Sequence, residues 1–405
     1  MKRLGLTNNQ KLKYFTQFII LVFYLISLIF LYRNFNDIHP ISFAEWLNNY
    51  QSGFIRRAIF GNLAFILSDK FNIHLLKIVL SIQVLIHTIF YLCLIFIIHK
   101  IDKFNFFYLF IILGPLGLIF PIAELEALGR QEIFFLSMLA LLSVIFINSN
   151  NIFLSQLIII LVIPIILLSH EGMIFFFSYL ILLNYLFLDE LKFKYKLEIN
   201  IFYIFYSIIL FLYFYITFNN NINIDKEVCN SLNEYLNYER CITLNGINKI
   251  SESKNNAIIQ FFQMSKLNEV LFTLAFIFFG FLPFFKLFKF NEIYLASFKF
   301  DVKILFILCL LMSMPIYLTI DWGRWTYVNY TSMIIIFLYL ANKNLLNINC
   351  NLISNYLIKI NYKYKILLLF LFCFSWNLKI LNIDDRGSFP LFRSLIKSLK
   401  YLLEI

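Results

Sequence analysis

Proline and glycine are scarce in this chain of 405 residues, at 7 and 11, and nowhere do they gather into a linker separating soluble domains. No segment repeats with a period of about 20–50 residues, which excludes solenoid and propeller architectures. No small-residue cleavage site follows the first apolar run, 14–32. The basic start, Met1-Lys2-Arg3 with Lys11 and Lys13, therefore reads as the flank of a retained span and not as a signal peptide. A glycine-rich phosphate loop is missing, so no nucleotide is expected. His170 has no second histidine four residues on, so the zinc-protease spacing is absent as well. No cofactor and no metal ion is expected.

What is present is apolar. Hydrophobic residues make up 61% of the chain and aromatic residues 20%, with a mean hydropathy of +0.79. This excludes a soluble domain and implies an all-α fold, a polytopic helical integral membrane protein forming a single membrane domain over 1–405. The formal charge of +11 comes largely from lysines between apolar runs, where membrane orientation accounts for them and no nucleic-acid partner is needed.

The topology hangs on Ile152 to Leu188, 37 residues interrupted only by Ser169-His170-Glu171-Gly172. A span takes roughly 20 apolar residues, so this stretch holds two, with the His-Glu-Gly break as a water-facing turn. Lys192, Lys194 and Lys196 follow, a basic flank of the kind kept in the cytoplasm, and the turn then lies outside. Extending this alternation predicts eleven spans, near 14–32, 78–99, 104–121, 132–147, 152–169, 173–188, 200–217, 270–285, 304–320, 326–341 and 366–378. The N-terminus is inside and the C-terminus outside. Segments assigned to the inside carry 16 Lys and 1 Arg, and the longer exterior loops carry 6 Lys and 6 Arg. With the tail, eight of nine arginines fall outside. A chain that defaults to lysine, as an AT-rich genome would make it, has thus placed arginine where a planar bidentate donor for phosphate or carboxylate would be useful. Cys229 and Cys241 are the only cysteines in exterior loops, both in the long loop 218–269, and are expected to form a disulfide that shapes the loop.

Four exterior stretches hold the unusual residues. In the loop 33–77, Phe43-Ala44-Glu45-Trp46-Leu47 and Gly53-Phe54-Ile55-Arg56-Arg57-Ala58-Ile59-Phe60-Gly61 read as an interfacial amphipathic helix. Arg56 and Arg57 would grip a lipid-linked phosphate there, or merely pair with headgroups. Glu124 to Glu132 places Glu126, Arg130 and Glu132 at a helix mouth. Glu126 and Arg130, at i,i+4, either form a structural ion pair or stand beside a sugar hydroxyl. His170 and Glu171 share a turn, as hydrogen-bonded structural residues or as an acid–base pair. Asp321-Trp322-Gly323-Arg324-Trp325 is either an aromatic belt with an ion pair or a carbohydrate subsite, with Trp322 and Trp325 against sugar rings and Asp321 and Arg324 on hydroxyls.

Taken together, the Gly-Phe-Ile-Arg-Arg segment, the Gly-Arg-Gln-Glu helix mouth, His-Glu-Gly before a phenylalanine run and Asp-Trp-Gly-Arg-Trp resemble bacterial oligosaccharide repeat-unit polymerases of the Wzy type. Those glycosyltransferases act in O-antigen, capsule and lipopolysaccharide biosynthesis. The resemblance implies a multi-pass protein of the bacterial inner membrane, working at its periplasmic face on undecaprenyl-pyrophosphate-linked oligosaccharide. Its partners would be that substrate, membrane lipids and a chain-length regulator, with no nucleic acid. It implies substrate binding by Arg56, Arg57, Glu126, Arg130, Glu132, Trp322, Arg324 and Trp325, with His170, Glu171 or Asp321 taking the acceptor's proton. The 52-residue exterior loop is smaller than in many members. One rival is a GT-C type polyprenyl-phosphate-sugar glycosyltransferase, in which Asp37 or Glu45 would be the base. Another is a transporter or flippase of lipid-linked sugars, which would more often carry charge or broken helices at mid-membrane.

Overall fold

A computed structural model describes residues 8–124, 126–149, 151–218, 223–248, 267–290, 292–295, 298–318, 321–348, 359–376 and 378. The chain is mostly helical. In order, the helices of its first part are α1 (Asn8–Asn36), α2 (Ile59–Phe71), α3 (Leu75–Lys100), α4 (Phe107–Ile112), α5 (Phe120–Ala123), α6 (Glu132–Asn148), α7 (Ile152–Ser169), α8 (Phe177–Phe187) and α9 (Phe193–Thr217). Short helices α10 (Ile224–Ser231), α11 (Tyr238–Ile242) and α12 (Asn245–Asn248) fold the long loop, and α13 (Leu267–Lys286), α14 (Val302–Met312), α15 (Trp322–Asn342) and α16 (Tyr362–Phe374) complete the order. Among the described residues, α1, α3, α7 and α9 are long and apolar enough to cross a membrane. Shorter apolar helices cover Glu132–Asn148, Glu171–Phe187, Thr273–Lys286 and Val302–Leu318.

The chain divides into two compact units. The first comprises Met1–Ile26, Tyr91–Glu124 and Met264–Ile405, and the second Ser27–Phe90 and Leu125–Gln263. In the first unit α15 is the core: every side chain from Gly323 to Ala341 is buried. The stretch expected as a span at 104–121 is not one helix. It breaks into α4 and α5, because Gly114-Pro115 and Gly117 form turns where the backbone presses on α15. A Cβ at Gly114 would stand 2.0 Å from the Tyr330 hydroxyl. The all-α expectation also gains two small ribbons in this unit. Phe288–Phe290 pairs antiparallel with Leu346–Ile348, and Glu292–Leu295 with Phe298–Asp301. Their alternating aromatic and charged residues suit strands rather than helix.

In the second unit α7 starts at Asn151, whose side chain accepts from the Leu154 amide at 3.0 Å. It ends at His170, whose extended backbone (φ −158°) breaks the helix before a 3₁₀ turn over Glu171–Phe176 leads into α8. The hairpin read from the sequence is therefore two helical segments meeting at His170. Helix α9 leaves most of its apolar surface outside the protein, including Phe205, Ile209, Tyr213 and Ile216, an exposure that suits a candidate membrane span. The structure joins Cys229 in α10 to Cys241 in α11 by a disulfide. Cys93, Cys309 and Cys373 are free and buried, and Cys350 lies outside the described residues.

Candidate functional site

The loop after α1 folds inward. Residues 42–49 are all buried, and Ala44–Leu47 and Tyr50–Ser52 form single 3₁₀ turns in place of the expected amphipathic helix. Three contacts explain this. Trp46 donates its indole N–H to the Gly129 carbonyl at 2.5 Å. A Cβ at Gly61 in α2 would meet the Asn48 carbonyl oxygen at 2.0 Å. One at Gly246 in α12 would meet the Glu45 nitrogen at 2.6 Å. Three backbone approaches pack the loop into a plug, and α2 after it supplies the regular helix.

The plug carries Glu45 into a sealed polar floor. Arg130 Nε lies 3.0 Å from Glu45 Oε2, and the Gln131 amide donates to Glu45 Oε1 at 2.7 Å. The Gln131 side chain donates to the Glu45 carbonyl at 2.9 Å and to the Arg57 carbonyl at 3.2 Å. One residue on, Glu132 Oε1 lies 3.2 Å from His170 Nε2, with both side chains almost wholly buried. The other imidazole nitrogen, Nδ1, accepts from the Gly172 amide at 3.1 Å. That bond requires an unprotonated Nδ1, so the proton sits on Nε2 and is donated to Glu132. Burial, and then the charge of Arg57, pushes His170 down to about 4. The imidazole is neutral, and both of its nitrogens are engaged. It serves as a cap and a strut rather than as a free base.

The floor opens at Glu171. Arg57 holds this carboxylate with two bonds of 3.0 Å, from Nε and Nη2, and Arg56 adds a longer one of 3.4 Å from Nη1. The three side chains remain 16–24% exposed, against 1–2% for Glu45, Glu132 and His170 and 12% for Arg130 beneath. Burial works to raise the Glu171 carboxyl, but Arg57 and Arg56 overcome it and hold the group well below the usual carboxylate range. Burial likewise works against the Arg57 charge, and Glu171 more than restores it. Arg57 occupies the left-handed region at φ +60°, a costly conformation for a residue with a long side chain. Gln131, gripping its carbonyl, helps to hold it there. Glu45, Glu132 and Glu171 are matched in number by Arg56, Arg57 and Arg130, which is how a buried group of this size avoids uncompensated charge.

Of the residues singled out by sequence, Arg56, Arg57, Arg130, Glu132, His170 and Glu171 meet in the second unit. The pairing of Glu126 with Arg130 on one helical face does not form. Residues 126–129 are turns, with Gly129 at φ +80°, and Arg130 is taken by Glu45. Asp321, Trp322, Arg324 and Trp325 belong to the first unit, where only Asp321 precedes α15 and the rest form its first turn. Arg324 Nη2 lies 2.5 Å from Asp321 Oδ2, and its guanidinium stacks 4.1 Å from the Trp325 ring. Trp325 is buried with that face occupied, so it does not present a sugar platform. Trp322 is half-exposed and donates to the Tyr317 carbonyl at 2.8 Å. Of the rival candidates, Asp37 is exposed and lies 3.6 Å from Arg33, and Glu45 is sealed in the floor. Gln131, at the centre of the network, was not among the site residues expected. Its signal was its position between Arg130 and Glu132 in an otherwise apolar chain.

Comparison of the chain with protein-family models, with curated proteins and with solved structures finds no match.

Proposed function

We propose that this protein is a multi-pass membrane glycosyltransferase that polymerises undecaprenyl-pyrophosphate-linked oligosaccharide repeat units at the periplasmic face of a bacterial inner membrane. In this reading the chain crosses eleven times, the stretch 104–121 as a broken segment, with the N-terminus inside and the C-terminus outside. The observation that carries the proposal is the convergence of Arg56 and Arg57 on one partly exposed carboxylate, over a floor that holds the Arg57 carbonyl. Two guanidiniums presented side by side suit a diphosphate, which offers paired oxygens to each planar fork.

In the reaction, a hydroxyl of the incoming unit attacks the anomeric carbon of the growing chain. The carbon–oxygen bond to pyrophosphate breaks, and the diphosphate leaves on its lipid carrier. Arg56 and Arg57 stabilise the charge that builds on the leaving oxygens. The acceptor's proton passes to a carboxylate, since the His170 nitrogens are both engaged. Glu171, which faces the same two arginines, is the candidate for that role, and Glu171→Gln tests it.

Deletion in the native host tests the function. Repeat units are complete before an exterior polymerase acts, so cells lacking the protein should make and export single units while losing long chains. Long polymer of altered sugar content would indicate a decorating GT-C enzyme, and units trapped inside would indicate a flippase. Unchanged long polymer would rule the proposal out.

A further inference from the structure

In the topology proposed above, the arginine pair stands at a membrane edge, where anions are not scarce. Phe54, two residues before Arg56, stacks 5.1 Å from Phe218 and lies 6.0 Å from Phe214, at the end of helix α9. A pair of exposed guanidiniums there would meet phosphodiester headgroups of ordinary phospholipids at high local concentration. A site for a rare diphosphate lipid must reject them, and tight binding alone does not achieve that; specificity is a difference between affinities.

Glu171 has the geometry for that rejection. Its carboxylate makes the bidentate contact with Arg57 that a single phosphate would make, and it is tethered within reach by the turn that His170 and Gly172 brace. A tethered anion competes without losing translational freedom, at an effective concentration of roughly millimolar or above. A monoanionic phosphodiester brings the same single charge and no advantage over it. A diphosphate brings at least two charges and enough oxygens to fill both forks. Glu171 does that poorly, reaching Arg57 at 3.0 Å but Arg56 only at 3.4 Å. We propose that Glu171 is an internal surrogate anion that selects the ligand, holding Arg56 and Arg57 against phosphodiester headgroups and yielding them to a lipid-linked diphosphate.

This inference rests on the reading of Arg56 and Arg57 as an anion site, and the test separates the two. Binding to the purified full-length protein in detergent is measured by calorimetry with inorganic pyrophosphate and with dihexanoyl phosphatidylglycerol, a soluble phosphodiester. The wild-type protein should prefer pyrophosphate by about tenfold or more, a difference of about 1.4 kcal/mol. Glu171→Gln removes the competing charge at nearly constant shape, so the phosphodiester should gain about tenfold or more and the preference should shrink. Glu171→Asp, whose shorter arm cannot span both arginines, should fall between. Arg57→Lys should lose both ligands. Equal wild-type affinities, or a preference unchanged in both Glu171 variants, would overturn the surrogate while leaving the anion site standing. Failure of both probes to bind any form would overturn the anion site and the surrogate with it.

Discussion

The charged group of the second unit has two ends built from the same side-chain types, and their surroundings set them apart. At the floor, the Glu45 carboxylate is buried and meets Arg130 through buried atoms, Nε to Oε2, with the Gln131 amide completing the carboxylate, and only the outer part of Arg130 is open. At the mouth, Glu171 meets two arginines that are still partly wetted. A sealed pair cannot exchange partners, because each charge without the other would face a low-dielectric interior. A half-open pair can, because water or an incoming anion takes over as the contact breaks. The floor is therefore scaffold and the mouth is where ligand chemistry belongs.

The largest effect expected is at the floor, and it sharpens this contrast. Arg130→Met strips the guanidinium from a buried carboxylate and should cost about 3–5 kcal/mol of stability. Adding Glu45→Gln to that variant removes the orphaned charge and should recover a good part of the loss. At the mouth, Arg56→Gln leaves Glu171 with its bidentate partner Arg57 and should cost about 1 kcal/mol or less. Thermal unfolding in detergent reads all three. Equal losses from Arg130→Met and Arg56→Gln would erase the distinction between the two ends.

A smaller effect is expected from the lid over the floor. The disulfide staples α10 to α11, and the segment they begin also reaches the loop after α1. Ser231 bonds the Asn49 side chain at 3.0 Å, and the Gly246 amide donates to the Pro40 carbonyl at 2.7 Å. Closing a loop of this length is worth about 3 kcal/mol by chain entropy, so Cys229→Ser with Cys241→Ser should lower stability by about that amount. Intact, unreduced protein should show neither cysteine modified by an alkylating reagent. Ready labelling of both would remove the bridge from the account.

Much of the frame was legible because it depends on local composition. The places of α1, α3 and α7 follow apolar run length, although α1 runs several residues past its run at each end, and the break at His170 follows a polar triplet that no apolar span would hold. The plug was not legible. Phe43 to Leu47 has the composition of an interfacial helix, and only the contacts at Gly129 and Gly246, far away in the chain, show that it is buried. The same holds for the charge pairs. Arg130 satisfies the local i,i+4 rule with Glu126, yet its partner Glu45 lies 85 positions earlier, as the residue numbers show. Local spacing names the residue types that must be compensated; which partner compensates them is settled by packing that spacing does not encode. The break at 104–121 had a signal in Gly114-Pro115, which span counting by apolar length passes over.

The smallest expected effect concerns the joint between floor and mouth, and it is read by pH. His170 is held neutral, pushed from 6.5 down to about 4 by burial and then by Arg57. The unfolded chain takes up a proton near pH 6.5 that the folded chain refuses until about pH 4. The unfolded state therefore binds more protons between those values, and stability falls as the pH drops through that window. At pH 5 the loss from this one group is about 2 kcal/mol. Glu171 acts in a separate range. Its carboxyl is held below the ordinary 4.5, so its contribution is intact above that value and is lost only in stronger acid. His39, lowered by burial and then by Arg130, adds to the slope with the same sign. Replacing His170 with Gln should then lower stability at pH 7.5, since a well-fitted strut is lost, but flatten the fall between pH 7 and pH 5 without abolishing it. Melting temperatures of the two proteins across that range give the comparison. Parallel slopes would mean that His170 takes up its proton in the folded state as readily as in the unfolded chain. The hydrogen bond from Gly172 and the neutral joint between the two ends would then both be wrong.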